Sequence, residues 1–451
     1  ATALAERLRG GKVSTREVTE AAIARLQRVE PSLHGLTLDT FDAARERAES
    51  KRFNGFFAGV PSLIKDNLDL RGLPTGHGSR ALGHAPLKKT SGIAKQYLAQ
   101  GFNLLGKSTL PAFGFTASTE QAGVPATRNP WHSDYSAGGS SGGSAALVAA
   151  GAVPIAHGND GGGSIRIPAS FCGIVGHKPT FSEVPHWPAS PFGTLAHAGP
   201  MTRTVADAAL MMNVMCEADA RDSLAAPRRH IDYLAALDQP MKGLKIAMST
   251  NLGYVDVDPD IEKAFKDAAK VFEDLGATIT EADPGFSNPL AAFSHLFYSG
   301  AANAMRDLGE RQRSLMDPAL IEVATKAEKL SMLDYLGAMN ERMAVSERMA
   351  VFHTKYDLLI TPTLPLGAFD TNREVPVDWP STRWPTWTPF TYPFNLTGQP
   401  ALSVPMGLDS NGLPMGLQIV GARFDDARVL AAGHAFEQAK PFTVLPPLLQ
   451  N

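Results

Sequence analysis

Residues 137–168, AGGSSGGSAALVAAGAVPIAHGNDGGGSIRIP, decide how the rest of this 451-residue chain is read. Two clusters of glycine and serine flank one short apolar segment. Glycine gives up the most chain entropy on folding, so glycines massed beside isolated hydroxyls are costly unless backbone must approach something closely. The stretch therefore reads as a site built from two turns. Between them, residues 144–150 are small and alanine-rich, a helix suited to a deep core. Residues 153–156 form a strand that delivers His157, Gly158, Asn159 and Asp160 into the second cluster.

Outward from there the same alternation continues. Ser14-Thr15-Arg16-Glu17 fits a capping box, and Val18, Ala22, Leu26 and Val29 follow at helical spacing until Pro31 stops the run. Residues 1–9 and 41–50 read as further helices, and residues 57–67 as a short buried strand ending in charge, with Lys65 at its edge. A helix at 93–100, a strand at 102–106 and a polar loop at 118–135 lead into the glycine cluster. Beyond it come helix 205–216, strand 244–248, helix 260–275 and strand 278–281, then strand 356–360, strand 415–420 and helix 425–439. Such alternation predicts an α/β fold, a central mixed β-sheet covered by helices on both faces. Residues 286–352, rich in Met, Ala and Glu, predict a helical layer or lid over that sheet. No linker or internal repeat divides the chain, so 1–451 reads as a single domain.

Composition excludes several classes. Net charge is −3, with 42 Lys and Arg against 45 Asp and Glu, and no basic block suits a nucleic acid or a membrane surface. The longest apolar window, residues 145–156, is too short to cross a bilayer and contains Gly151 and Pro154. Cys172 and Cys216 are the two cysteines and form no CxxC, which argues against a disulfide scaffold or zinc cluster and for a reduced, cytoplasmic setting. The start, Ala1 with Glu6 and Arg7 soon after, is unlike a signal peptide.

Three motif matches compete. Gly138-Gly139-Ser140-Ser141-Gly142 spells the G-x-S-x-G elbow, which needs a buried strand immediately before it; residues 131–136 do not read as one. Ser62-Leu63-Ile64-Lys65 spells S-x-x-K, but it reads as extended and no K-T-G accompanies it. The third match spans most of the chain: the 138–151 cluster, residues 160–168, Gly59-Val60-Pro61-Ser62-Leu63-Ile64-Lys65-Asp66, Leu359-Ile360-Thr361-Pro362-Thr363, residues 395–405 and residues 412–418. Together, and in this order, these blocks resemble the amidase signature family.

That resemblance implies the amidase signature fold and a catalytic set of Ser164, Ser140 and Lys65. Ser164 would be the nucleophile of an acyl-enzyme, Ser140 a bridging hydroxyl after a cis peptide bond, and Lys65 the base. The two serines lie 24 residues apart, the interval that the family keeps. The backbone amides of Gly161, Gly162, Gly163 and Ser164 would form the oxyanion hole, with Asp160 and Arg166 bracing the turn. The resemblance implies no metal and no organic cofactor, and a small-molecule amide, apolar or aryl, as the partner. Within the family the segment from His157 to Ser170 looks most like the branch of the nylon-oligomer (6-aminohexanoate cyclic dimer) hydrolases, although Asn159 stands where Ser or Thr is more usual. A carbamate or ester hydrolase with the same triad, the amidase component of a tRNA-dependent amidotransferase, and a silent binding protein on the same fold remain as alternatives, and a homodimer stays open.

Physical chemistry supports the same residues. A serine hydroxyl must lose its proton to a base during attack, and an ordinary lysine, with pKa about 10.4, is protonated at neutral pH. Val60, Leu63 and Ile64 around Lys65 make burial, and hence a lowered pKa, the expectation. Asp66 would undo this by pairing with the charge, so its side chain should point elsewhere. Glycine-turn amides converge on a tetrahedral oxyanion without obstruction. Ser141 and Ser144 read equally as caps of the following helix. His157 has no identifiable acidic partner for a Ser-His pair. The loop 375–394, with Trp379, Trp384, Trp387, Phe390 and Tyr392, reads either as a pocket wall or as a surface loop anchored by aromatics. The methionines of 211–212 and 332–349 read as packing.

Overall fold

The buried run PSLIK, Pro61–Lys65, lies deep in a mixed sheet of 11 strands. The computed structural model describes residues 1–50, 53–121 and 123–450. In chain order the strands are β1 (Leu36–Asp39), β2 (Pro61–Lys65), β3 (Asn103–Ser108), β4 (Arg128–Asn129), β5 (His132–Ser136), β6 (Ile155–Asp160), β7 (Val175–Lys178), β8 (His197–Thr202), β9 (Lys245–Met248), β10 (Thr278–Glu281), β11 (Leu358–Pro362), β12 (Ala401–Leu408) and β13 (Pro414–Gly421). The large sheet runs β1-β3-β2-β6-β8-β7-β12-β13-β11-β9-β10, while β4 and β5 form a separate two-stranded ribbon. β2 is parallel to both β3 and β6, whereas β6 to β13 pair antiparallel through β8, β7 and β12. The predicted mixed α/β sheet is therefore present.

Central strands covered on both faces should be apolar along their whole length rather than alternating. β2, β3, β8, β11 and β13 are buried at every position. One helical layer brings Thr15–Leu33 and Gly142–Ala149 against β2 and β6; the other brings Val205–Met215, Pro259–Asp274 and Asp426–Ala439 against the rest of the sheet. The capping box of the first of these is formed: Ser14 Oγ accepts from the Glu17 amide and the Glu17 carboxylate accepts from Ser14 N–H. Pro31 does not stop this helix, which runs on to Leu33 before His34 turns left-handed at φ 51. Proline disturbs the turn preceding it, and within the last turn few intrahelical bonds remain to lose.

Residues 286–352 carry the helices Leu290–Met305, Glu310–Arg313, Pro318–Ala327 and Met332–Phe352. Met211, Met212 and Met349 are core, as expected of methionine packing, but Met332 and Met343 face outward at 76% and 65% exposure. β7, β8, β12 and the helix Arg166–Cys172 lie outside the sequence expectations. The segment ahead of Ser140 does contain a strand, β5, yet three of its five residues are exposed and it joins no buried sheet. Among the described residues no helix is long and apolar enough to cross a membrane.

Candidate active site

The parallel pairing of β2 with β6 sets the ends of both strands side by side, and the chemistry gathers there. Lys65 closes β2; Asn159 and Asp160 close β6; Gly161 to Ser164 form the turn that follows, and Ser140 and Ser141 precede the helix Gly142–Ala149 packed beneath. The peptide bond between Gly139 and Ser140 is cis. The two glycine-serine turns are tied directly, since Ser141 N–H donates to Ser164 O at 3.2 Å.

Lys65 is fully buried, and its Nζ lies within hydrogen-bond distance of Ser140 Oγ at 2.8 Å, Ser141 Oγ at 2.9 Å and Asn159 Oδ1 at 2.5 Å. Burial holds its pKa well below the ordinary lysine value, with Asp160 pulling the other way. Asp66 does point elsewhere: it lies 3.1 Å from Lys107 Nζ and accepts from Gly76 N–H. Ser164 is the most accessible of the three expected catalytic side chains, at 7% against 0% for Lys65 and 1% for Ser140. Its hydroxyl has no protein hydrogen-bond partner among the described residues, so the link between Lys65 and Ser140 is closed while that between Ser140 and Ser164 is open. Catalytic hydrogen bonds are often long before substrate binds.

Asp160 and Arg166 organise the turn. Asp160 Oδ1 accepts from Gly163 N–H at 2.7 Å and Oδ2 from Ile165 N–H at 3.2 Å. Arg166 grips both carboxylate oxygens, Nε and Nη2 each at 3.0 Å. Its other donors reach Thr391 O, Gln418 Oε1 and Asn395 Oδ1, so all five N–H groups of a fully buried guanidinium are satisfied. Burial alone would raise the Asp160 pKa, but Arg166, Lys178 and Asn395 outweigh it and hold the carboxyl well below the usual range. The bonds correct one expectation. Gly163 N–H is spent on Asp160 and is not free for an oxyanion, whereas the amides of Gly161, Gly162 and Ser164 have no protein acceptor among the described residues.

Several neighbours were not legible beforehand. Ser141 occupies the cap position of its helix without capping it; its Oγ serves Lys65 and Asn159 instead. Ser144 donates to His157 O and pairs with Ser108. His157 is buried, with its pKa pushed far down by burial, and meets Tyr97 edge-on at 6.3 Å. Phe293 and Phe297, from the helix Leu290–Met305, back the glycine turn together with Trp384: a Cβ placed on Gly162 would lie 2.5 Å from Phe293 and 2.8 Å from Trp384. The tryptophan loop thus divides. Trp384 reaches the turn, while Trp387 is core, stacked on Phe171 at 5.9 Å. Among the described residues no cluster of His, Cys, Asp or Glu is arranged to hold a metal.

The model of the amidase family matches residues 17–430. The chain belongs to the amidase family. It is 37% identical to an acylamidase of Rhodococcus erythropolis over 99% of this chain and 96% of that protein. It is 35% identical to one component of the glutamyl-tRNA(Gln) amidotransferase of Halothermothrix orenii, over 97% of this chain and 96% of that protein. Among solved structures, a bacterial aryl acylamidase of the amidase signature enzymes superposes with TM-score 0.92 at 33% identity, covering 99% of this chain and 97% of that one. The 6-aminohexanoate cyclic dimer hydrolase bound to its substrate gives TM-score 0.92 at 30% identity, covering 100% and 98%. The amidase signature fold expected from the sequence is therefore shown over essentially the whole of this amidase.

Proposed function

We propose that this amidase hydrolyses the C–N bond of a small apolar or aryl amide through an ester intermediate on Ser164. The observation that carries the reading is a buried lysine with no carboxylate partner, hydrogen-bonded to Ser140 and set beside a glycine turn whose amides at 161, 162 and 164 are uncommitted. Ser164 Oγ attacks the carbonyl carbon, its proton passes to Ser140 Oγ, and the Ser140 proton passes to Lys65 Nζ. The C–O bond forms and the oxyanion is met by the three free amides. As the C–N bond breaks, the proton returns by the same path to the leaving amine. Water then attacks the ester, gives its proton to the relay, and releases the acid and Ser164.

The aryl preference rests on Phe293, Phe297 and Trp384 at the turn and on the likeness to the aryl acylamidase and to the 6-aminohexanoate cyclic dimer hydrolase. The branch around those two enzymes is the one favoured here. The likeness to the amidotransferase supports a second reading, in which the chain works with a partner; copurification of a second protein from native extracts distinguishes it. The test of the main reading is a panel of 4-nitroacetanilide, short aliphatic amides, esters and carbamates on wild type and Ser164→Ala, with fluorophosphonate labelling of the serine. Labelling and anilide hydrolysis should both vanish in Ser164→Ala; retention of near-wild-type hydrolysis overturns the mechanism.

A further inference from the structure

Lys65 has three hydrogen-bond partners, and they are not equivalent. A lysine acting as a base carries two hydrogens and one lone pair, and each needs a partner of the right kind. Asn159 Oδ1, 2.5 Å from Nζ, is a carbonyl oxygen and accepts only. Ser141 has one hydrogen, which it donates to Asn159 O at 3.2 Å, while its Oγ also receives Asn159 N–H at 3.3 Å. Toward Nζ, Ser141 is therefore an acceptor too. Ser140 Oγ, 2.8 Å away, has no other acceptor for its hydrogen among the described residues. It is the one partner able to donate to the lone pair.

We propose that Asn159 is a positioning residue for the base: together with Ser141 it holds the two hydrogens of neutral Lys65, so that the lone pair faces Ser140 and no other group. This rests on the assignment of Lys65 as the base. The arrangement balances in both protonation states. When the proton of Ser164 moves to Ser140 and that of Ser140 moves to Nζ, the new ammonium finds three acceptors already in place. One hydroxyl hydrogen changes sides and none of the heavy atoms around Nζ need move, which keeps reorganisation there small at the moment of reaction. The side-chain amide suits this role because it is neutral. A carboxylate in its place would stabilise the ammonium and weaken the base.

The charged surroundings of Lys65 are few. β6 contributes Asp160, held by Arg166, and His157, whose burial drives it toward the neutral form. Asp66 and Lys107, next along the chain and on β3, are paired with each other. Of the two helices packed on β2, Gly142–Ala149 carries no titratable side chain, and the buried residues of Thr15–Leu33, namely Thr19, Ala22, Ile23, Leu26, Val29 and Leu33, include none either.

The test measures kcat/KM for 4-nitroacetanilide and the rate of fluorophosphonate labelling across pH in wild type, Asn159→Asp and Asn159→Ala. In Asn159→Asp the acid limb of both profiles should move up by a pH unit or more, about a tenfold loss at a fixed pH below the limb, with KM little changed. In Asn159→Ala the lost acceptor hurts the ammonium more than the amine, so the limb should move down while the plateau falls tenfold or more. A purely structural role would lower activity without moving the limb in opposite directions. Unmoved limbs in both variants, or a shift of the same sign in both, overturn the proposal. If Asn159→Ala fails to fold by thermal melting, the isosteric Asn159→Asp carries the test alone. Lys65→Ala separates the two levels: if it labels at the wild-type rate, the base assignment falls, whereas an inert Lys65→Ala beside unmoved Asn159 limbs overturns the positioning role only.

Discussion

Adding one methyl group at Gly162 should disable the enzyme while leaving it largely folded. The new Cβ would lie 2.5 Å from Phe293 Cζ and 2.8 Å from Trp384 Cη2. Carbon atoms rest about 3.5–4.0 Å apart, so the shortfall is about 1 Å. Neither ring can yield: Phe293 is stacked between Phe297 at 5.2 Å and Tyr392 at 4.8 Å, and Trp384 sits edge-on to Phe293 and Phe297 at 5.7 and 5.3 Å. Overpacking of this kind costs about 1–3 kcal/mol, and the softer side of the contact is the turn itself. A turn displaced by a fraction of an ångström no longer aims its amides, and losing one oxyanion donor costs about 10²–10³ in kcat. The assay is kcat and KM on 4-nitroacetanilide, with melting curves beside it. Gly161→Ala is the internal control, since its Cβ would meet only Phe297, at 3.3 Å or more, and should lose less than tenfold. Adding Phe293→Ala to Gly162→Ala should restore part of the activity. Equal losses at Gly161 and Gly162, or a Gly162→Ala enzyme within threefold of wild type, would refute the idea that the aromatic wall sets the aim of the turn.

Two further changes separate bracing from chemistry. Asp160→Asn leaves the Arg166 guanidinium buried without its counter-charge, and breaking such a pair costs about 3–5 kcal/mol, read as a fall in the urea midpoint. Because the Asp160 pKa is depressed, its contribution is complete above the unfolded value near 3.9 and is lost only below it, so the variant should differ least from wild type in strong acid. Glu437 behaves oppositely: burial pushes its carboxyl up to about 7, against the Val205 amide that it accepts from. The folded state then binds that proton more tightly, and stability falls as pH rises through about 7. Glu437→Gln should match wild type in stability at or below about pH 4 and exceed it at pH 8, by at most about 3 kcal/mol; a gap independent of pH would contradict the assignment.

What the sequence disclosed depended on whether a local pattern carried the information. β2, β11 and the helix after Ser14 announce themselves through apolar runs or caps that need no distant partner. β8, reading HAGPMT, and β7, reading VGHK, have no such pattern, and their burial comes entirely from neighbours far along the chain. The site divides in the same way. Lys65, Ser140, Asp160, Ser164 and Arg166 stand in recognisable blocks, but Phe293 and Phe297 come from a helix that is merely apolar in sequence and acquires its role by packing on Gly161 and Gly162. The expectation for Gly163 failed because a carboxylate three residues away competes for the same N–H, a contest that composition does not reveal.

If Lys65 transfers protons as proposed, its contrast with Lys107 is what keeps it fit to do so. They sit on adjacent parallel strands, one residue out of register, and burial lowers the pKa of both. Lys107 has a carboxylate at 3.1 Å and carbonyl and hydroxyl acceptors at 2.7 Å, a setting that rewards the charged form. Lys65 has only neutral acceptors. What keeps them different is Asp66, which follows Lys65 directly and, on the opposite side of the chain, is claimed by Lys107 and by Gly76 N–H. Were that carboxylate free to turn toward Lys65, it would be a second counter-ion beside Asp160 and would favour the ammonium. In the mechanism proposed here Lys107 therefore serves the base indirectly by occupying its neighbour's charge, and the polarity of β2 and β3 is part of that chemistry as much as of the fold.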